Sequence, residues 1–259
     1  MVELKLLDGR GQVLARAKGE RSVTLTAART YEPGDRLELI SDEPYVYASV
    51  DAFQLPAWLY LPGGRSTYVF PTEPAALEPY SPQAFHGGVH TYTLGHAPQV
   101  KDVRRDLALD PLAQRVFAGA YPFARANVET RDESVFFARN VIDGIHLNQS
   151  HGIWPYESWG IGLSETAQIE ILFGREVTVD AMRLTLRADF PHDAYWKQAT
   201  VTLSDGYELT FPLQMTAEGQ DIAFDAPHVI TSIRLHHLVK QVMDSPFPAL
   251  RSWEVFGIG

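Results

Sequence analysis

Val179-Asp-Ala-Met-Arg-Leu-Thr-Leu-Arg187 is the stretch that decides how this chain folds. Met182, Leu184 and Leu186 alternate with Arg183, Thr185 and Arg187. A period of two predicts a strand whose apolar set faces a core, with Arg187 aimed the other way. The chain then runs on as Arg187-Ala-Asp-Phe-Pro-His-Asp-Ala-Tyr-Trp196, a loop expected before the next strand at 199–203. Binding residues concentrate in loops carried on rigid sheets. An arginine, two aspartates, a histidine and two adjacent aromatics suit a polar ligand with apolar faces, such as a sugar.

The same period extends outward. Ala167, Ile169, Ile171 and Phe173 form one inward row, and Ala199, Val201 and Leu203 another. Asp205-Gly206 is expected to close a hairpin before Tyr207, Leu209, Phe211 and Leu213 return. Final strands are expected at 232–239 and 252–257. In the first half, strands are expected at 3–7, 12–15, 22–27, 36–41, 45–51, 56–61 and 67–71, separated by Pro/Gly/Asp turns. Residues 72–98 read as irregular loop. Between Asp102 and Gly119 the pattern predicts a helix: Asp110 caps it, Pro111 fits its first turn, and Leu112, Val116 and Phe117 share a face. The expectation is an all-β protein of two jelly-roll-like sandwiches, 1–100 and 125–259, joined by a short helical linker at 101–124.

Composition narrows the function. The 259 residues include no cysteine, which removes disulfides, thiolate metal sites and cysteine nucleophiles. A net charge of −10 argues against nucleic acid and anionic membranes as partners. No apolar run approaches the roughly 18 residues of a membrane span. The N-terminus turns polar at once, so the chain reads as cytoplasmic, or as secreted if a leader was removed.

Five pieces of the second half, in order, resemble the galactose-binding-like sandwich of discoidin (coagulation factor 5/8 type C) domains and related carbohydrate-binding modules. They are Ala138-Arg-Asn-Val-Ile-Asp-Gly144, Ala167-Gln-Ile-Glu-Ile-Leu-Phe-Gly174, the opening stretch itself, Val201-Thr-Leu-Ser-Asp-Gly206 and Trp253-Glu-Val-Phe-Gly257. The resemblance implies carbohydrate binding at loop ends in many members, and lipid or protein binding in others. It places Arg187 where such modules hold a sugar-binding arginine. It puts His192 and Asp193 in the loop that supplies further polar contacts, and the 151–159 loop where a histidine or aromatic meets the ligand. It also implies a structural calcium near Asp143, helped by carbonyls of 145–148. Ser252 stands where the family's closing strand supplies a ligand. No other cofactor is expected.

The candidate ligand residues are therefore His151, Trp154, Arg187, Asp189, His192, Asp193 and Trp196, with Asp143 as the metal candidate. Arginine offers a fork of donors for adjacent hydroxyls, the aspartates accept from hydroxyls, and Trp154 and Trp196 supply stacking faces. Trp159 is expected in the core. His86 and His90, with His96, are read as loop histidines, because Gly87-Gly88 opposes a chelating helix. His236 and His237, in a strand, are expected to point to opposite faces. Glu157, Glu165, Asp189 and Asp193 leave open an enzyme acting on a sugar. No nucleophile elbow, phosphate loop or dinucleotide fingerprint is present. Non-catalytic carbohydrate binding is the leading expectation. A sugar-active enzyme and a protein-interaction module are the alternatives, and a homo-oligomer stays open.

Overall fold

The computed structural model describes residues 1–148, 152–188 and 194–259. Among these, sixteen strands account for nearly all regular structure, and every pair is antiparallel. The first half holds β1 (Val2–Leu7), β2 (Val13–Gly19), β3 (Ser22–Ala28), β4 (Arg36–Ser41), β5 (Tyr45–Ser49), β6 (Ala57–Tyr60), β7 (Arg65–Val69) and β8 (Val89–His96). They form two four-stranded sheets, ordered β2-β1-β4-β7 and β3-β8-β5-β6. Leu4, Leu6, Leu37 and Leu39 from one sheet share a core with Leu25, Val46, Tyr92 and Leu94 from the other. This is the sandwich that the short strands and their turn residues predict.

Two expectations fail in this region. Strand β8 lies inside the stretch read as irregular, and it sits second in its sheet, between β3 and β5. It buries His90, Tyr92 and Leu94 on one face. His90 stacks on Tyr31 at 4.3 Å, so an aromatic contact hides an inward position behind a polar residue name. The expected helix is also absent. Residues 103–120 are turns around the two-residue strand β9 (Arg105–Asp106). An amphipathic helix needs one wet face, but the middle of this segment, 107–113, is claimed by two clusters. Leu112 packs into the first core, while Leu107, Ala108 and Ala113 pack into the second. Val116 and Phe117, expected on the packed face, are exposed.

The second half adds β10 (Phe123–Ala126), β11 (Trp159–Gly160), β12 (Ile169–Leu186), β13 (Trp196–Leu203), β14 (Glu208–Pro212), β15 (Gln220–Lys240) and β16 (Ala249–Ile258). The stretches expected as two strands, 167–173 and 179–186, are one long strand, β12. Its first part, Ile169 to Leu172, lies between β10 and β15; its later part lies between β15 and β16. A register shift between Leu172 and Val177 separates these two parts. A bulge of this kind bends a strand and lets it serve two layers. Gly174 sits in it at φ 68°, and any side chain there would run into the Tyr121 ring. The inward rows read from the sequence are buried as expected, as is Trp159; Trp253 is fully buried too. Asp205-Gly206 closes its hairpin, with Gly206 at φ 95°.

The two sandwiches are tied together directly. Tyr60 and Tyr121 exchange backbone hydrogen bonds of 2.9 and 3.0 Å. The Arg175 guanidinium lies over Tyr45 and Tyr60, 5.2 and 4.9 Å from the ring centroids. Asp110 lies buried in the joining segment, where its carboxylate accepts the Leu112 N–H at 2.9 Å. Burial pushes its pKa up to about 7, against the opposing pull of that N–H and of Arg139. An unfolded aspartate ionises near 3.8. Between those values the folded chain holds a proton that the unfolded chain has lost, so this residue's contribution to stability falls as pH rises towards 7. Asp110→Asn removes that loss. The variant's melting temperature, relative to wild type, should be higher at about pH 8 than at about pH 5. Parallel melting curves would contradict the buried ionisation.

Candidate functional site

Arg187 directly follows β12, its N–H bonded to the Ala249 carbonyl at 2.9 Å. Its side chain leaves the apolar row as the alternation requires, but it is 2% exposed. The alternation fixes which side of the sheet a residue takes and says nothing of what covers that side. Here the cover includes Tyr156, whose ring centroid is 5.8 Å from the guanidinium carbon. Tyr156 donates its hydroxyl to Glu78 at 3.2 Å. Burial, reinforced by Glu78, pushes its phenol up to about 12, so it stays neutral.

Arg187 lines a cavity of about 220 Å³ together with Thr130, Arg131, Phe136, Ile161 and Phe247. Gly160 forms part of its wall: a side-chain carbon there would stand 2.6 Å from the Thr130 hydroxyl and 3.2 Å from the Phe136 ring. Thr130 accepts the Gly162 N–H at 2.9 Å, which orients its oxygen. Arg131 is paired with Glu133 through contacts of 2.6 and 2.7 Å. Phe247 is about half exposed, between two prolines, in the approach to β16. Cation, hydroxyl and aromatic surface thus meet around one small hollow.

The other predicted residues go elsewhere. Trp196 is 1% exposed and packs against Trp159 with ring centroids 6.3 Å apart. Its face belongs to the core, which corrects its assignment as a stacking surface: strict alternation with Ala199, Val201 and Leu203 would turn residue 196 outward, but the register shifts between Trp196 and Thr200 go with an inward indole. Trp154 is half-buried and lines a different, larger cavity of about 550 Å³, with Phe53, Leu55, Tyr80, Arg139 and His146, where the two sandwiches meet. His151, Asp189, His192 and Asp193 lie outside the described residues. Phe136, Phe247 and Thr130 were not singled out from sequence. Only Phe247 carried a signal, since an aromatic between two prolines is barred from a sheet interior.

Glu157 drops out of the carboxylates available for chemistry: it is fully buried and accepts a hydrogen bond from Arg251 at 2.8 Å. Asp143, the metal candidate, faces the same guanidinium at 3.3 and 3.5 Å and accepts the Ile145 N–H at 2.8 Å. Its carboxylate is therefore already occupied by a protein cation. Among the described residues no three His, Asp or Glu side chains gather as a metal-binding set. His90 lies in its core stack, and His96 meets Asp42 at 3.1 Å. His236 and His237 do not point apart as expected. His237 takes φ 47°, which breaks the alternation and brings the two Nδ1 atoms to 3.0 Å.

No family model and no curated protein matches the sequence. Solved structures similar to the chain include a chitosan-binding module from a Paenibacillus sp. IK-5 chitosanase/glucanase, at 20% identity over 59% of this chain and 99% of that one, TM-score 0.42. Another is the family 32 carbohydrate-binding module of C. perfringens NanJ, in complex with galactose, at 16% identity over 51% and 91%, TM-score 0.39. A third is the lectin domain of lectinolysin, complexed with Lewis B antigen, at 14% identity over 60% and 98%, TM-score 0.44. At these values the functional reading rests on the chain's own cavity.

The assignment of Trp196 to the core has a measurable consequence. Trp196→Ala should cost about 3–5 kcal/mol in denaturant unfolding, as large aromatic truncations in cores do. A loss under about 1 kcal/mol would return the indole to the surface.

Proposed function

We propose that this protein binds a carbohydrate, without catalysis, in the cavity walled by Arg187. The observation that carries the reading is the meeting of that guanidinium with an exposed aromatic, Phe247, around one small concave space. Ligand sites are largely apolar hollows with a few fixed polar groups. At about 220 Å³ the hollow is below the roughly 300 Å³ lower bound for drug-sized ligands, which favours a single sugar ring over a long chain. In this reading Arg187 bridges adjacent ring hydroxyls with its fork of donors. Thr130, its acceptor side engaged by Gly162, donates its hydroxyl proton to the sugar. Phe136 and Phe247 meet the apolar face of the ring.

Asp189, His192 and Asp193 stay in the proposal on sequence grounds, since they follow Arg187 within six residues. His151 stays on the resemblance alone. Trp154 is not used, because it lines the other cavity.

A glycan array with wild type, Arg187→Lys and Phe247→Ala tests the proposal. Lysine keeps the charge and loses the fork, so affinity for the bound glycan should fall roughly 10- to 100-fold, the worth of a charged hydrogen bond. Phe247→Ala should weaken it up to roughly tenfold, with melting temperature unchanged. An array with no glycan bound, or binding indifferent to both substitutions, sinks the reading. Turnover of a bound saccharide would replace it with an enzyme.

A further inference from the structure

The Arg251 head group is fully buried and surrounded by oxygen. Its Nε donates to the Leu147 carbonyl at 3.3 Å and its Nη1 to the Asn140 carbonyl at 3.1 Å. Its Nη2 donates to Glu157 at 2.8 Å and lies 3.3 and 3.5 Å from the two Asp143 oxygens. Two carboxylates and two backbone carbonyls, drawn from the segment around the Asp143-Gly144 turn and from the loop carrying Glu157, thus surround one guanidinium. These are hard oxygen donors of the kind that calcium takes in flexible geometry.

We infer that the Arg251 guanidinium is the resident cation of this oxygen cage and replaces the structural calcium that the resemblance implies at Asp143. Four features support the replacement. The cage centre is filled, because the guanidinium nitrogens already stand at hydrogen-bond distance from every oxygen named. A calcium ion needs 6–8 oxygens at about 2.3–2.6 Å, and those lone pairs are now directed at N–H groups. A divalent ion beside a buried guanidinium would also place like charges together out of water. Finally, the strand position is shifted. Ser252, the residue aligned with the implied ligand, has its hydroxyl 2.8 Å from His146 Nδ1. Arg251 falls at a register shift of β16 against β12, skipped between Leu250 and Ser252, and it is residue 251 that reaches the cage.

The cage itself keeps the donor set of a cation site. Removing the guanidinium leaves two carboxylates and two carbonyls with only the more distant charge of Arg139 to offset them, and calcium should enter. This inference is independent of whether a sugar binds beside Arg187.

Differential scanning calorimetry of wild type in calcium and in chelator should give superimposable melting curves. Arg251→Ala in chelator should melt roughly 10 °C lower or more, as for any broken buried ion pair. Calcium should restore most of that loss and magnesium little, because magnesium demands near-ideal octahedral geometry. If Arg251→Ala does not fold in chelator, refolding with calcium reads the same prediction through recovery of a cooperative melt. A wild-type melting temperature that falls on chelation overturns the replacement. A variant equally unstable, or equally unfolded, with and without calcium overturns the cage.

Discussion

A buried guanidinium cannot lose its proton and must find every partner in the protein. Arg251 imposes this constraint on the second sandwich. It holds the turn at Asn140 and Asp143, the carbonyl of Leu147 and the carboxylate of Glu157 to the closing strand β16. Truncating one member of such a network strands the others, at about 3–5 kcal/mol. Glu157 follows Tyr156 directly, and Tyr156 covers Arg187. The fixed charge at Arg251 is therefore linked, through one short run of chain, to the ring that packs on Arg187.

A second constraint is the joining segment. Its middle, residues 107–113, is largely buried between the two clusters and acts as shared core. Consecutive residues serve different clusters: Leu112 the first, Ala113 the second. Asp106 and Asp110 satisfy its turns, accepting backbone N–H groups of Ala108 and Leu112. Both have pKa values raised by burial to about 7. With the Tyr60–Tyr121 bridge and the Arg175 stack on Tyr45 and Tyr60, this makes the meeting of the sandwiches a packed interface.

Most of the strands were legible because alternation is a local property. Ile169, Ile171 and Phe173, or Met182, Leu184 and Leu186, declare their face without reference to anything distant. What failed depended on partners far along the chain. His90 takes the inward face of β8 with Tyr92 and Leu94, and Tyr31, about sixty residues earlier, stacks on it. The 102–119 pattern looked amphipathic, yet two cores claim it. Arg187 was correctly read as leaving the core, but its cover comes from a loop about thirty residues earlier. Arg251 gave no signal, since arginine is almost never fully buried unless paired, and its partners lie at 140–157. The candidate site was thus half visible: its cation could be read, and its aromatic wall came from Phe136 and Phe247.

The pairing of β16 also bears on the order in which the protein matures on the ribosome. The first sandwich has all its strands once residue 96 has been made, and the segment that carries Leu112 follows soon after. The second core depends on β16, which pairs with β9, β11 and β12 across up to about 150 positions of sequence. Contacts of such span are slow to form because the loop entropy is spent before they repay it. During synthesis the chain therefore passes through a stage with one finished sandwich and one open apolar sheet. That stage ends only when the strand carrying Arg251 arrives.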